Sequence, residues 1–126
     1  MQYFSMRNGV PKIGMVDLLK LMEEHNVTVV NVLGREAYEN LRIAGSVWIP
    51  FDILEERGWE MLDKERPVVT YCASISCGAS LTAAAILREH GIDAMAYEGG
   101  IKEWAEAGLP VEGKLQYSEF YRAGKC

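Results

Sequence analysis

The strongest constraint on this chain is an alternation, kept from end to end, between short β-branched runs and longer segments with apolar residues at helical spacing. Val16 to His25 places apolar residues on one helical face and acids and a histidine on the other. Val27-Thr-Val-Val-Asn-Val-Leu33 then has the composition of a buried strand. The pattern continues with a short helix over Glu36 to Leu41 and a strand over Ser46 to Ile49, stopped by Pro50. It predicts a helix over Phe51 to Leu62, weakened by Gly58, and a strand over Val68 to Tyr71 opened by Arg66-Pro67. Ser80 to His90 is the best-formed helix, with alanines for close packing, Arg88 near its end and Gly91 as its stop. Ala94 to Tyr97 is a strand broken by Gly99-Gly100, and Ile101 to Ala107 a helix closed by Gly108. Alternating elements of this length bury their apolar faces together as an α/β fold, a mostly parallel sheet with helices on both faces.

With 126 residues the chain is expected to form one domain, 1–126, with 113–126 as a C-terminal tail. The net charge is -5 and no run of Lys or Arg forms a basic stripe, which argues against nucleic acid or an anionic membrane as partner. Met1-Gln-Tyr-Phe-Ser-Met-Arg7 has no apolar run of the kind a signal peptide needs, and no stretch approaches the roughly 18 apolar residues of a membrane span. A cytoplasmic protein is the expectation. Three cysteines in such a chain point to sulfur or redox chemistry more than to a structural disulfide.

Cys72 is the residue on which that chemistry centres. It ends an apolar strand and enters a small-residue loop, Cys72-Ala-Ser-Ile-Ser-Cys-Gly-Ala-Ser80, that leads into the Ser80 helix. Sites of parallel α/β sheets lie beyond the carboxyl ends of the strands, where this loop falls. Helix N-termini present free N–H groups and a positive dipole end, so a thiol there is expected to ionise more easily. On this reading the loop is the active site and Cys72 its thiolate.

The chain resembles the single-domain rhodanese (sulfurtransferase) family in three places. Tyr38 with Ile43-Ala44-Gly45-Ser46 and Pro50 is similar to the family's early signature. Tyr71-Cys72, the loop and Ser80 with Ala83-Ala84 are similar to its active-site strand, loop and helix. Glu98-Gly99-Gly100, Trp104 and Gly108-Leu109-Pro110-Val111 are similar to its closing motif, the most specific of the three. The resemblance implies a rhodanese-like fold, a five-stranded, mainly parallel sheet flanked by helices. The chain departs from the family pattern too. Asn31 and Leu33 stand where an Asp-x-Arg is usual, Arg42 where a histidine is usual, and Ala79 where an arginine usually closes the loop. Without an arginine fork the loop lacks the usual grip on thiosulfate, or on phosphate.

By this resemblance Cys72 attacks a sulfane sulfur, holds it as a persulfide and surrenders it to an acceptor thiol. Ala73, Ser74, Ile75, Ser76 and Gly78 offer loop N–H groups and hydroxyls to the anion, and Ser80 is either a further donor or the helix N-cap. Cys77 is either a buried plug of the loop or a second catalytic thiol that resolves the persulfide as a Cys72–Cys77 disulfide. The partners implied are a small sulfur donor (thiosulfate, a persulfide or a polysulfide) and a thiol acceptor. No cofactor and no metal are expected, since His25 and His90 belong to no ligand motif. Two other functions fit the same residues: thiol–disulfide redox or sulfane-sulfur reduction on the Cys72/Cys77 pair, or an interaction module that keeps the fold without catalysis. Cys126 is read as part of a frayed tail.

Overall fold

The computed structural model describes residues 4–7 and 9–114, with side chains from Gly9 onward. The later part of the expected tail, with Cys126 and the amphipathic stretch Tyr117 to Arg122, lies outside the described residues.

Val68–Tyr71 forms β6, the centre of the molecule, and all four of its residues are buried. Strands buried on both faces read as continuous apolar runs, which is why this one was legible. It lies parallel to β3 (Thr28–Asn31) on one side and to β7 (Ala94–Tyr97) on the other. Beyond them, β5 (Val47–Trp48) pairs parallel with β3 and β2 (Val10–Ile13) pairs parallel with β7. These are the five parallel strands of the expected fold. A sixth, β1 (Phe4–Arg7), adds to β2 in antiparallel register, giving the order β1-β2-β7-β6-β3-β5. A separate two-stranded ribbon joins β4 (Arg42–Ile43) to β8 (Val111–Glu112).

The period-two pleat sorts the core into two halves. Val68 and Cys72 face α3 (Phe51–Arg57) and α4 (Ala79–Glu89), packing with Leu54, Ala83, Ala84 and Leu87. Val69 and Tyr71 face α1 (Met15–Glu23) and α5 (Gly100–Glu106), packing with Leu18, Leu21, Ile101 and Trp104. Helices therefore cover both faces. The short helix α2 (Arg35–Asn40) connects β3 to the β4 ribbon.

Element ends differ from the sequence reading by a residue or so, as fraying ends do. The larger difference lies after β5. The helix read over Phe51 to Leu62 ends at Arg57, and Gly58–Met61 tighten into a 3-10 turn. Gly58 sits so close over α3 that a Cβ there would stand 2.9 Å from Leu54 Cγ. Strands β1, β2, β4 and β8 were missed because none shows an apolar alternation long enough to register. β2 carries Pro11 and Lys12, and β4 and β8 hold two residues each.

From β3 the chain moves outward to β5; from β6 it moves the other way, to β7. The carboxyl ends of β3 and β6 thus flank the switch point at which α/β sheets open a crevice. A buried polar cluster braces this place. Asn31 Nδ2 donates to the Tyr71 hydroxyl at 2.9 Å, and Asn31 Oδ1 accepts from the Leu33 N–H at 2.8 Å. The Tyr71 hydroxyl also accepts from the Ile43 N–H at 3.0 Å and lies 2.8 Å from Ser46 Oγ. Asn31 thus fixes the turn after β3 without charge, at the position where the resembled family usually has Asp.

Candidate active site

The loop from Cys72 to Gly78 is hung from its neighbours by backbone bonds. The Ile101 N–H donates to the Cys72 carbonyl and the Lys102 N–H to the Ala73 carbonyl, both at 3.0 Å. These donors belong to the first turn of α5, so that helix end holds the loop's carbonyls in place. Such an approach requires Gly100, which has φ +68° and whose Cβ, if present, would stand 2.6 Å from the Cys72 oxygen. The Gly99-Gly100 pair therefore sets α5 against the active loop.

Within the loop, the Cys77 N–H donates to the Ser74 carbonyl at 3.0 Å, closing a turn with Ile75 at its tip, 69% exposed. Ser74 Oγ and Ser76 Oγ lie 2.9 Å apart. Of the expected substrate-binding residues, Ala73, Ser74 and Ser80 are buried, whereas Ile75, Ser76 and Gly78 face solvent. Thr70, one turn of the pleat before Cys72, donates its hydroxyl to the Ser80 carbonyl at 2.7 Å and ties α4 to β6.

Helix α4 starts at Ala79 with Gly78 as its N-cap, and no side chain caps it. The N-cap alternative for Ser80 is thereby set aside. Its Oγ is fully buried and has no nitrogen or oxygen partner among the described residues. It lies against the Cys72 sulfur, which the Ser80 backbone N–H also approaches. A hydroxyl kept from water without an oxygen or nitrogen partner is uncommon, because leaving one unmatched costs about 1–3 kcal/mol.

Cys72 and Cys77 come together. Both are free thiols, and Cys72 donates to the Cys77 carbonyl oxygen at 3.3 Å. The two sulfurs are close enough for each to set the other's ionisation. Here the structure differs from the expectation that Cys72 is the thiolate. Burial first, and then the bond and charge of Cys77, push the Cys72 thiol up to about 11, against the pull of Ser80. Cys77 goes the other way: despite the upward push of its own burial, the Cys72 thiol and the N–H groups of Ala79 and Ala73 hold it below the usual thiol value. The physical reason is exposure. Cys72 is 0% exposed within the α3–α4 core, while Cys77 is only partly buried against it. A shared negative charge settles on the better-solvated sulfur with more amide donors.

Sequence reasoning missed the α5 side chains across from the loop. Ser74, Ile75 and Ser76 share a groove of about 330 Å3 with Gly99, Lys102, Glu103 and Glu106 of α5. Lys102 brings a positive charge beside a loop that contains none. The signal for it was topological: β7 lies next to β6, so the helix that follows β7 must start beside the Cys72 loop. Two arginines outside the loop, Arg42 and Arg35, are engaged elsewhere. Arg42 donates to the Tyr38 carbonyl at 3.2 Å, stacks 4.6 Å above the Tyr38 ring and pairs with Glu112; Arg35 pairs with Glu39. No helix among the described residues is long and apolar enough to cross a membrane.

Comparison with known proteins matches residues 15–107 to the family described as the rhodanese-like domain. The chain is 35% identical over 96 residues to an HTH-type transcriptional regulator of Mycobacterium tuberculosis, covering 76% of this chain and 42% of that protein. It therefore spans less than half the length of that relative. Among solved structures it is similar to the BH2092 protein of Bacillus halodurans, with 29% identity, a TM-score of 0.76, and 82% of this chain and 77% of that one covered. It is also similar to a rhodanese-related protein of Thermoplasma volcanium, with 29% identity, a TM-score of 0.72, and 82% and 98% of the two chains covered.

Proposed function

The chain belongs to the rhodanese-like domain family, and from that premise we propose that it is a sulfurtransferase storing sulfane sulfur as a persulfide on Cys72. The supporting observation is the Cys72 sulfur at the carboxyl end of β6, against the Ser80 N–H and a buried Ser80 hydroxyl with no oxygen or nitrogen partner. An added outer sulfur, anionic as a persulfide, gives those donors a charged acceptor. In loading, a cysteine thiolate of the loop attacks the outer sulfur of R–S–SH, the new S–S bond forms, and R–S⁻ leaves. In unloading, an acceptor thiolate attacks the outer sulfur of Cys72–S–SH and the Cys72 thiolate leaves.

The donor class we favour is a persulfide or polysulfide. The loop has no arginine to grip the sulfonate end of thiosulfate, and Lys102 of the neighbouring groove is a single point charge in place of a fork. Ala73, Ser74, Ile75, Ser76 and Gly78 shape the approach to the pair, and the acceptor is a thiol. The protein works in a reducing compartment such as the cytoplasm, since an oxidised Cys72–Cys77 pair leaves no thiol to load. A second reading, thiol–disulfide exchange, is favoured by two free thiols on one tight turn, with the Cys72 sulfur 3.3 Å from the Cys77 carbonyl oxygen.

Sulfur transfer to cyanide, followed with thiosulfate, an inorganic polysulfide and glutathione persulfide, tests the proposal. The reading expects turnover with at least the latter two, and a clear fall in Cys72→Ser, which keeps only the Cys77 thiol. Undiminished turnover in that variant removes Cys72 as carrier.

A further inference from the structure

We propose that Cys77 is the first acceptor of sulfur from the donor and passes it inward to Cys72, so that the loop is a two-thiol relay. This rests on the reading of Cys72 as persulfide carrier and assigns a separate role to its neighbour. Two geometric facts carry it. Cys72 is 0% exposed and belongs to the core cluster under α3 and α4, so a donor larger than a few atoms has no direct approach to its sulfur in this conformation. Cys77 is partly exposed on the loop surface, and its sulfur is near enough to that of Cys72 for each to set the other's ionisation. The backbone fixes this arrangement: the Cys77 N–H closes the turn onto Ser74, and the Cys72 thiol donates to the Cys77 carbonyl.

The chemistry balances without any added oxidant or reductant. The Cys77 thiolate attacks the outer sulfur of a donor persulfide R–S–SH; the Cys77–S–SH bond forms and R–S⁻ departs. Cys72 then attacks the outer sulfur of Cys77–S–SH, forming Cys72–S–SH and expelling the Cys77 thiolate. The proton carried by the Cys72 thiol passes to R–S⁻ or to solvent. The ionisation of the pair suits both steps. A thiol of lowered pKa is the better nucleophile near neutrality because more of it is ionised, and the better leaving group afterwards. Cys72, harder to ionise, gives a more basic thiolate that holds the sulfur more firmly. The Ser80 donors then face the stored persulfide, whereas the Ala73 and Ala79 N–H groups face the departing Cys77 thiolate.

The experiment measures the rate at which Cys72 gains sulfur, by quenched intact mass and fragmentation, in wild type, Cys77→Ser and Cys77→Ala. Each is given a bulky donor, glutathione persulfide, and a small one, inorganic disulfide. Folding of both variants is checked by circular dichroism, and agreement between them guards against a defect peculiar to one. The relay expects loading of Cys72 by glutathione persulfide to slow at least about tenfold in both variants, with a smaller loss for the small donor. It also expects Cys72→Ser to accumulate the added sulfur on Cys77. Loading of Cys72 at the wild-type rate without Cys77 overturns the relay and leaves the carrier reading standing. So does a wild-type product that is the Cys72–Cys77 disulfide plus sulfide after a transient Cys72 persulfide, because the sulfur has then been reduced and not passed on. Failure of the wild type to gain sulfur on either cysteine overturns the carrier reading itself.

Discussion

The Cys72 thiol donates to the Cys77 carbonyl oxygen at 3.3 Å, so one tight turn holds a sealed sulfur against a partly exposed one. No covalent bond enforces this pairing; it follows from the turn at Ser74 and from the two α5 amides that pin the loop. Whatever the loop does, it does with two thiols of unequal acidity.

That inequality sets a pH order. A thiolate forms as pH rises through the pKa, so the thiol of lower pKa is alkylated at lower pH. Iodoacetamide is expected to modify Cys77 first, with a midpoint below that of an ordinary cysteine, and Cys72 only as pH approaches about 11. Cys72→Ala removes the thiol that donates to Cys77 and should move the Cys77 midpoint upward. In Cys77→Ala the midpoint of Cys72 should fall but stay above the usual value, because burial is its largest cause. Rate–pH profiles with peptide mapping read all three, and alkylation of Cys72 ahead of Cys77 contradicts the assignment.

Ser80→Ala separates a functional hydroxyl from a structural one. Its Oγ has no nitrogen or oxygen partner to lose, so the variant should be as stable as wild type or slightly more so, within about 1 kcal/mol in urea unfolding. Persulfide on Cys72 should nevertheless decay several-fold faster, since a donor of the anion is gone. A clear loss of stability with an unchanged persulfide lifetime makes Ser80 a packing residue.

Gly100→Ala is expected to damage both fold and loop. Alanine at φ +68° is strained, and its Cβ would stand 2.6 Å from the Cys72 carbonyl oxygen, so α5 must draw back and release the loop. A loss of about 1–3 kcal/mol in unfolding free energy, with a larger fall in sulfur transfer than stability alone explains, is the expected result.

Asn31→Ala tests the brace at the switch point. It leaves the Leu33 N–H without its acceptor and removes one of the donors on the buried Tyr71 hydroxyl. A cost of about 1–3 kcal/mol follows from leaving buried groups unmatched, measurable by denaturant unfolding. Since Tyr71 leads directly into Cys72, faster alkylation of Cys72 should accompany the loss.

Much of this was legible in the chain because the central elements carry redundant signals. Val68 to Tyr71 is rich in β-branched and aromatic residues, and the α4 segment combines small packing residues with a glycine stop, so β6, α4 and the loop between them could be read directly. The edges could not, since Pro11 and Lys12 break the pattern of β2 and two-residue strands have no period. The spacing of Cys72 and Cys77 allowed their approach without deciding it, and which sulfur carries the charge was not legible. That depends on Cys72 sinking into the core and on where the Ala73 and Ala79 amides point, and neither is encoded in the loop's own residues. Lys102 and its groove escaped for a similar reason, being brought to the loop by strand order and not by sequence proximity.

The most direct test of the account is where sulfur comes to rest. Wild-type protein is exposed to glutathione persulfide, freed of excess donor and analysed by intact mass, with fragmentation between Cys72 and Cys77. The account predicts a gain of about 32 Da, one sulfur, located on Cys72 and discharged by an acceptor thiol. A protein that gains no sulfur and instead loses two hydrogens, or one whose added sulfur stays on Cys77 alone, contradicts it.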